Sequence, residues 1–237
     1  MSAAEQTSAS TAVVIAVDGT SGSGKSSTSR GVASRLGLRY LDTGAMFRAM
    51  TWWMLQHGID VTDADAVAAR APEAEIVSGT DPLAPTITLD GVDVSVEIRS
   101  DPVNASVSPV SAVPEVRRLL LERQRAAIRE ALAAEGIVVE GRDIGSVVWP
   151  QAQVKLYLSA DAEARAARRA LEQGSQDEER IAATRASLEA RDAIDSTRKS
   201  APLVRADGAV HIDTTAYSLD EVIDEVVALV ESAKARP

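Results

Sequence analysis

The sequence predicts an α/β fold in three layers, with a parallel five-stranded sheet between helices. Short apolar runs that are rich in β-branched residues recur along the chain, and such runs are typical of strands buried on both faces. They cover residues 13–17, 137–140, 154–158 and 209–212, and residues 38–41 can form a further short strand. Helical segments separate these runs, and this alternation indicates parallel strands joined by right-handed crossovers.

Six segments have the apolar spacing of helices. They cover residues 25–36, 45–56, 116–134, 162–173, 179–193 and 218–235. The last segment begins with Ser218 and has Glu221 three positions later, which is the arrangement of a capping box. Because these segments fall between the predicted strands, we expect them to form the two outer layers of the fold.

One region departs from this alternation. Residues 72–100 have no helical period, and two stretches that alternate in polarity, 86–89 and 92–96, flank an Asp-Gly pair as in a β-hairpin. We expect a small antiparallel β insert here, with an excursion of the chain over the sheet edge as the alternative. The core then comprises residues 13–71 and 101–237. Residues 1–12 are small and polar, without the pattern of an export signal, and are expected to form a disordered tail.

The composition excludes several classes of protein. Because the chain has no cysteine, disulfides, thiolate metal sites and cysteine nucleophiles are excluded. Its two histidines, His57 and His211, lack the spacing of metal ligands. A net charge of −10 argues against a protein that coats nucleic acid. The apolar runs are strand-sized, too short to cross a membrane as helices, so we expect a cytoplasmic protein with no membrane partner.

The most informative motif follows the first predicted strand. Residues 19–27 match the phosphate-binding pattern G-x-x-x-x-G-K-[ST]. In such a loop the backbone N–H groups point at phosphate oxygens, Lys25 reaches the β- and γ-phosphates, and the hydroxyl of Ser26 completes the shell of Mg²⁺. The alternative is a simple Gly/Ser-rich turn, but the strand before the loop and the helix after it favour a nucleoside triphosphate site. The residues expected to bind it are Gly19, Thr20, Ser21, Gly22, Ser23, Gly24, Lys25, Ser26 and Ser27.

Arginines recur at turns where a second ligand could bind. Only four of the 25 basic residues are lysines, and guanidinium groups suit the bidentate recognition of phosphate. Arg48 lies one turn into a helix that a capping pair, Asp42 and Thr43, begins. Arg142 and Asp143 follow a buried strand, at the sheet edge where α/β proteins bind ligands. A solvated charged turn is the alternative in each case.

A further basic segment is expected to act as a lid. Residues 191–199 end a helix, and arginines there and on the preceding helix give both a basic face: they are Arg165, Arg168, Arg169, Arg185, Arg191 and Arg198. Phosphoryl transfer needs cations that close over the transferred group and exclude water; a solvated charged face is the alternative. The prediction is therefore a three-layer P-loop NTPase fold with a small antiparallel insert and a helical lid at about 174–200, acting as a kinase.

Several motifs, in family order, resemble those of bacterial cytidylate kinases, the (d)CMP kinases of the nucleoside monophosphate kinase group. They lie at residues 19–27, 41–48, 94–99, 113–117 with 123–125, 140–145 and 191–198. The resemblance implies that the γ-phosphoryl of ATP, with Mg²⁺, passes to CMP or dCMP to give CDP or dCDP in pyrimidine nucleotide metabolism. It also implies that the insert at 72–100 binds the monophosphate. Small nucleotides are the expected partners, and we expect a monomer.

The resemblance also implies roles for individual residues. Three would hold the ribose and phosphate side of the acceptor: Asp42, Thr43 and Arg48. Three would read the cytosine edge: Ser108, Arg117 and Asp143. Four would grip the phosphate and sugar: Arg142, Arg191, Asp195 and Arg198. The residues expected to act in catalysis are Lys25, Arg142, Arg191 and Arg198. Phe47 stands where the family often has tyrosine, so it is expected to stack on the acceptor without a hydroxyl contact.

Some positions depart from the family pattern, and two other functions are alternatives. Glu140 stands where aspartate is common, and Ile194 and Ser196 replace arginines of some relatives. One alternative is a P-loop kinase for another small acceptor, such as shikimate. The other is a GTP-hydrolysing switch protein, but such proteins generally carry an Asn-Lys-x-Asp segment, and the sole asparagine, Asn104, precedes alanine.

Overall fold

A computed structural model of the protein describes residues 12–172, 177–198 and 200–235. The chain begins with β1 (Val13–Gly19), α1 (Lys25–Leu36), β2 (Arg39–Asp42), α2 (Thr43–Gln56) and α3 (Ala64–Arg70). Three short strands and two helices follow: β3 (Ile76–Ser78), β4 (Ile87–Leu89), β5 (Val92–Asp93), α4 (Asp101–Ala112) and α5 (Pro114–Leu132). The remaining elements are β6 (Gly136–Glu140), β7 (Val154–Ser159), α6 (Ala162–Glu172), α7 (Glu178–Thr197), β8 (Val210–Asp213) and α8 (Leu219–Lys234).

The main sheet has five strands in the order β2-β6-β1-β7-β8, and every neighbouring pair is parallel. The predicted five-stranded parallel sheet is therefore confirmed, including the strand at β2. Val17 of β1 and Asp42 of β2 both lie beside Glu140 of β6 in register. The carboxyl ends of these three strands thus meet at one edge of the sheet, where the loops that follow them converge.

Alternate residues of β1 supply the core on both faces of the sheet. Val14 and Ala16 pack with apolar side chains of α2 and α5, whereas Ile15 and Val17 pack with those of α1 and α8. All seven residues of β1 are buried, as expected of a strand covered on both faces. This arrangement confirms the three-layer fold.

The small sheet is antiparallel, with the order β3-β4-β5. Asp90 and Gly91 connect β4 to β5 with positive φ values of 50° and 79°, as a two-residue hairpin turn requires. The predicted hairpin is confirmed, although β5 ends at Asp93 instead of continuing to residue 96. The carbonyl of Thr80 accepts a hydrogen bond from the N–H of Tyr40 (2.9 Å), which attaches this region to the edge strand β2.

Two helices, α3 and α4, lie in regions where the sequence predicted no element. Pro109 lies inside α4, and proline in a helix interior usually ends the helix. Here α4 continues to Ala112 while Val103, Val107 and Val110 are buried, so tertiary packing outweighs the local signal. No helix in the described ranges is long and apolar enough to cross a membrane. The predicted tail (except residue 12), the last residue of the predicted helix 162–173, and residues 174–176 and 199 of the predicted lid lie outside the described residues.

Candidate active site

A cleft of about 720 Å³ opens where β1, β2 and β6 end. Most of the predicted site residues line it: they are Ser21, Gly22, Ser23, Gly24, Lys25, Ser26, Ser27, Asp42, Thr43, Phe47, Arg48, Arg117, Arg142, Asp143, Arg191, Asp195 and Arg198. Among the described residues, the lining does not include Gly19, Thr20 or Ser108. The structure thus brings together residues from four helices, α1, α2, α5 and α7, and from the loops after β1 and β6, which are far apart in sequence.

The phosphate-binding loop has a backbone that favours glycine at Gly19 and Gly24. Gly19 has φ 147°, and a Cβ there would lie 1.9 Å from the carbonyl oxygen of Leu158. Gly24 adopts the left-handed conformation (φ 84°) at the start of α1, and no described side chain caps that helix start. The first N–H groups of α1 are therefore left for an anion, as in other phosphate sites at helix N-termini.

Lys25 lies at the base of this loop and is only 7% exposed. Its Nζ donates a hydrogen bond to the carbonyl oxygen of Thr20 (2.6 Å). Burial lowers the pKa of Lys25, and the positive charge of Arg142 acts in the same direction. Because an anion nearby favours the charged form of a lysine, a bound polyphosphate would raise this pKa again.

Ser26 lies at the exposed edge of an oxygen cluster around the buried Glu140. The Ser26 hydroxyl donates to Glu140 Oε2 (3.0 Å), the Tyr40 hydroxyl donates to Oε1, and the Thr43 hydroxyl donates to the carbonyl oxygen of Glu140 (2.7 Å). Burial raises the pKa of Glu140. Hydroxyl and carboxylate oxygens suit Mg²⁺, but no group of three or more acidic, histidine or cysteine residues in the described ranges could hold a metal. The donor set therefore fits a magnesium ion that takes most of its ligands from phosphates and water.

Asp42 and Arg48 lie on the α2 side of the cleft. Asp42 caps α2 by accepting from the N–H of Ala45 (2.9 Å). Arg48 donates through Nη1 to the carbonyl oxygen of Ile98 (3.1 Å) and to Oδ1 of Asn104 (2.7 Å). Burial lowers the pKa of Arg48 to about 9, and the neighbouring arginines act in the same direction. Asn104 was missed as a site residue because α4, which carries it, was not predicted.

Arg117 and Asp143 form an ion pair between α5 and the loop after β6. The Arg117 guanidinium carbon lies 5.3 Å from the centroid of the Phe47 ring, and its Nη1 donates to the carbonyl oxygen of Ser111 (3.1 Å). Burial raises the pKa of Asp143, against the opposing charge of Arg117. Ser108 is buried on α4, and its carbonyl oxygen accepts from the Ser111 hydroxyl (3.0 Å).

Asp195 of α7 holds two of the predicted arginines. Its Oδ2 accepts from Nε of Arg142 (3.0 Å), and its Oδ1 lies 3.5 Å from Nη1 of Arg198. Arg142 also donates to the carbonyl oxygen of Gly19 (2.9 Å). One buried carboxylate thus orients cations from two elements and connects the end of α7 with the phosphate-binding loop.

Arg191 and its neighbours lie above that loop. Burial lowers the pKa of Arg191 to about 10, with the charge of Arg142 acting in the same direction. Its buried Nε has no hydrogen-bond partner among the described residues, which suits an anionic ligand. Asp192 accepts from the N–H of Ser21 (2.9 Å) and pairs with Arg165. Sequence reasoning assigned Arg165 only to a basic face and gave Asp192 no role.

Asp18 is another buried carboxylate that the sequence analysis did not single out. It is 2% exposed and accepts hydrogen bonds from the N–H groups of Ile144 (2.7 Å) and Gly145 (2.8 Å). Burial raises its pKa to about 6, although these hydrogen bonds act in the opposite direction. The signal in the sequence was an aspartate that directly follows the apolar run 13–17.

Comparison with known proteins agrees with this geometry. The cytidylate kinase family model matches residues 15–232. The cytidylate kinase of Streptomyces coelicolor is 58% identical over 224 residues, which cover 94% of this chain and 95% of the relative. The cytidylate kinase of Streptomyces avermitilis is 55% identical with the same coverage, and that of Corynebacterium glutamicum is 43% identical over 94% of this chain and 96% of the relative. The match includes every residue named above for the cleft, and the chain belongs to the cytidylate kinase family.

Proposed function

We propose that this protein transfers the γ-phosphoryl group of ATP to CMP or dCMP, which gives CDP or dCDP. The observation that carries the proposal is the single cleft in which a phosphate-binding loop faces a second set of arginines held by buried carboxylates. Two anionic ligands can therefore lie end to end over one edge of the sheet. Membership of the cytidylate kinase family supports a cytosine nucleotide as the acceptor.

The donor lies on the phosphate-binding loop. Its phosphates accept from the N–H groups of residues 19–27 and from the ammonium group of Lys25. Ser26, with Glu140 behind it, would hold Mg²⁺. When bound, this ion neutralises phosphate charge and fixes the geometry of the triphosphate.

The acceptor lies against Phe47 and the Arg117–Asp143 pair. Cytosine presents an exocyclic amine next to ring acceptors, so a carboxylate and a guanidinium side by side complement its edge. Phe47, already in contact with the Arg117 guanidinium, supplies an apolar face for the base. Arg48 carries positive charge at the start of the cleft for the acceptor phosphate, and Asp42 and Thr43 lie beside it. The role of Ser108 in base recognition stays a prediction.

Catalysis rests on positioning and on charge neutralisation. An oxygen of the acceptor phosphate attacks the γ-phosphorus, and the bond from that phosphorus to the β–γ bridging oxygen breaks, which leaves ADP. The acceptor phosphate is already nucleophilic, so no general base is required. Cations around the transferred group stabilise its charge in a site from which water is excluded; we assign this role to Lys25, Arg142, Arg191 and Arg198.

Each part of the chain can be assigned a role in this reaction. We assign residues 174–200 to a lid that closes over the transferred group, and residues 72–100 to an insert that borders the acceptor. Residues 13–71 and 101–237 form the core. The protein would act as a monomer in the cytoplasm, with small nucleotides as its partners.

One assay tests the proposal directly. Product formation from ATP is measured in parallel with CMP, dCMP, UMP, AMP and shikimate, and release of phosphate from GTP is measured without an acceptor. We expect CDP and dCDP to form far faster than any other product. Faster phosphorylation of shikimate or AMP, or GTP hydrolysis without an acceptor, would contradict the proposal and favour one of the alternative functions.

A further inference from the structure

The turn that carries Arg142 and Asp143 has an unusual helix start. After these residues the chain enters a short π-helical turn, Ile144–Val148, and Asp143 occupies its N-cap position. Aspartate at such a position usually accepts a hydrogen bond from the first N–H groups of the helix. The Asp143 side chain makes no such bond within the described chain and is paired with Arg117 in the cleft instead.

Asp18 supplies the missing cap from another part of the chain. Its two carboxylate oxygens each accept one hydrogen bond, from the N–H groups of Ile144 and Gly145. These residues are 126 and 127 positions away in sequence. Buried N–H groups need partners, and Asp18 satisfies both without the carboxylate of Asp143.

The turn is packed too closely to rearrange without cost. A Cβ on Gly145 would lie 3.1 Å from Cβ of Ala206 and 3.4 Å from Oδ2 of Asp18. A Cβ on Gly141 would lie 2.6 Å from side-chain atoms of both Ile144 and Thr43. Asp18 also directly precedes Gly19, where the phosphate-binding loop begins. The same residue therefore connects the donor loop to the turn that faces the acceptor.

We infer that Asp18 is a positioning residue for the acceptor: it caps the turn at Ile144–Val148 and thereby leaves the carboxylate of Asp143 free to hold Arg117 and the acceptor base. This inference rests on the proposed function, because it concerns the same acceptor. It assigns to Asp18 an effect on CMP that is larger than its effect on ATP, although Asp18 is adjacent to the donor loop in sequence.

The test is to replace Asp18 by asparagine and to measure nucleotide binding by calorimetry, without turnover. In Asp18→Asn one oxygen remains, but the amide NH₂ faces a second N–H group and cannot accept from it. We expect Asp143 to turn towards the uncapped N–H group and leave Arg117, which weakens CMP binding by about tenfold. ATP affinity is expected to stay unchanged. Unchanged CMP affinity, or equal losses for both nucleotides, would overturn the inference.

A control variant is available at the start of α3, where another aspartate caps two backbone N–H groups. Asp63 accepts from the N–H groups of Asp65 (3.1 Å) and Ala66 (3.0 Å) at the start of α3, outside the cleft. Both bonds end on Oδ1 of Asp63, which asparagine would keep as an amide oxygen, so the control variant is Asp63→Ala. Asp63→Ala loses both cap hydrogen bonds, and its CMP affinity is expected to remain at the wild-type value. A loss as large as that in Asp18→Asn would overturn the inference, because it would show that any weakened helix cap suffices.

A double-mutant cycle separates positioning from a general loss of structure. If Asp18 acts by keeping Asp143 available, Asp18→Asn has little further effect on CMP affinity once Asp143→Asn has removed that carboxylate. Fully additive losses would mean independent roles and would overturn the inference. If Asp18→Asn fails to fold, Asp18→Ser, which also has a single acceptor and is shorter, replaces it in the same cycle.

The outcome for the wild-type chain distinguishes the two proposals. A wild-type protein that neither binds nor phosphorylates CMP would refute the proposed function. A wild-type protein that binds CMP, together with an Asp18→Asn variant of equal CMP affinity, would overturn the role of Asp18 alone.

Discussion

The two ends of the cleft hold their cations in different ways. Lys25, at the donor end, donates to the backbone carbonyl oxygen of Thr20 (2.6 Å). Beside it, Arg165 donates to the carbonyl oxygen of Ser21 (2.8 Å) but is also paired with the carboxylate of Asp192. At the acceptor end Arg117 is paired with the carboxylate of Asp143. A backbone carbonyl does not neutralise the positive charge of its donor. A carboxylate neutralises that charge and also fixes the orientation of the cationic side chain. Lys25 is therefore placed to attract the donor phosphates, and Arg117 is placed to orient the acceptor.

The two ends also differ in how the chain builds them. The donor loop is one continuous segment, residues 19–27, whereas the acceptor end takes side chains from α2, α4, α5, α7 and the loop after β6. We therefore expect changes at the donor end to act on turnover directly. Changes at the acceptor end should act through the partner of the altered residue. Five predictions follow this contrast, from the largest effect to the smallest.

Replacement of the buried donor lysine should have the largest effect. Lys25→Met removes the buried ammonium group at the base of the loop, and we expect kcat to fall by roughly 10²–10³-fold, as when a preorganised donor is removed. A coupled assay with saturating ATP and CMP measures it. Lys155→Met is the control, since Lys155 lies away from the cleft and donates to the carbonyl oxygen of Asp207 (3.3 Å). A loss below tenfold in Lys25→Met would break the contrast.

Replacement of Arg198 tests the end of α7. We expect Arg198→Ala to lower kcat by about 10²-fold, because a guanidinium near the transferred group is lost while Arg142 keeps its pairing with Asp195. Arg185→Ala is the control, because Arg185 lies within α7, is exposed and pairs with Glu189 (3.1 Å). Turnover equal in the two variants would show that Arg198 is not part of the reaction site.

The Arg117–Asp143 pair tests orientation of the base. Because each partner fixes the other, Arg117→Ala and Asp143→Ala should each raise the KM for CMP by about 10–100-fold. The KM for ATP should change much less. Steady-state kinetics with each substrate varied in turn measures the two values. Equal increases for ATP and CMP would refute the assignment of this pair to the base.

Substitution of Asn104 tests whether its hydrogen bond holds Arg48 in place at the acceptor end. Its Oδ1 accepts from Arg48 (2.7 Å), and its Nδ2 donates to the carbonyl oxygen of Arg99 (3.0 Å). Asn104→Ala should raise the KM for CMP roughly fivefold with little change in kcat, because Arg48 stays in place but loses one acceptor. Asn104→Asp keeps that acceptor and should recover most of the loss. If the KM for CMP rose as much in Asn104→Asp as in Asn104→Ala, loss of the hydrogen bond to Arg48 would not be the cause of the increase.

Proton uptake should give the smallest signal. Burial lowers the pKa of Lys25 in the free protein, and donor phosphates favour its charged form. At a pH between the two values Lys25 is partly neutral before binding and charged after it, so ATP binding takes up less than one proton. Calorimetry in buffers of different ionisation enthalpy, without Mg²⁺, measures this uptake. Its size should fall in Lys25→Met, and an unchanged uptake would assign the proton to another group.

Local sequence patterns were sufficient to predict much of the fold and part of the candidate site. Glycines and Lys25 directly after an apolar strand predict the phosphate-binding loop, because backbone conformation and sequence proximity alone place them. Strands such as β1 are recognisable because burial on both faces leaves a continuous apolar run. The hairpin at Asp90-Gly91 follows from a turn that requires positive φ. Arg142 and Asp143 were found because the end of a parallel strand is a place where ligands bind.

Other features of the fold and the site could not be predicted without the tertiary structure. α4 contains an internal proline, so its helix depends on burial against neighbouring elements, and Asn104 was missed with it. No sequence pattern shows that Asp192 meets Arg165 or that Asp195 meets Arg142. The first pair depends on the packing of α6 against α7, and the second on the approach of α7 to the loop after β6.

The amino-acid sequence by itself determined the three-layer fold, the donor loop and the type of chemistry, since these depend on residues close together along the chain. Only the tertiary structure decided which carboxylate orients which arginine, and that Asp18 caps a turn more than a hundred residues away. The physical reason is that hydrogen bonds and ion pairs act over a few ångströms. Their partners are therefore defined only when the parallel strands lie side by side.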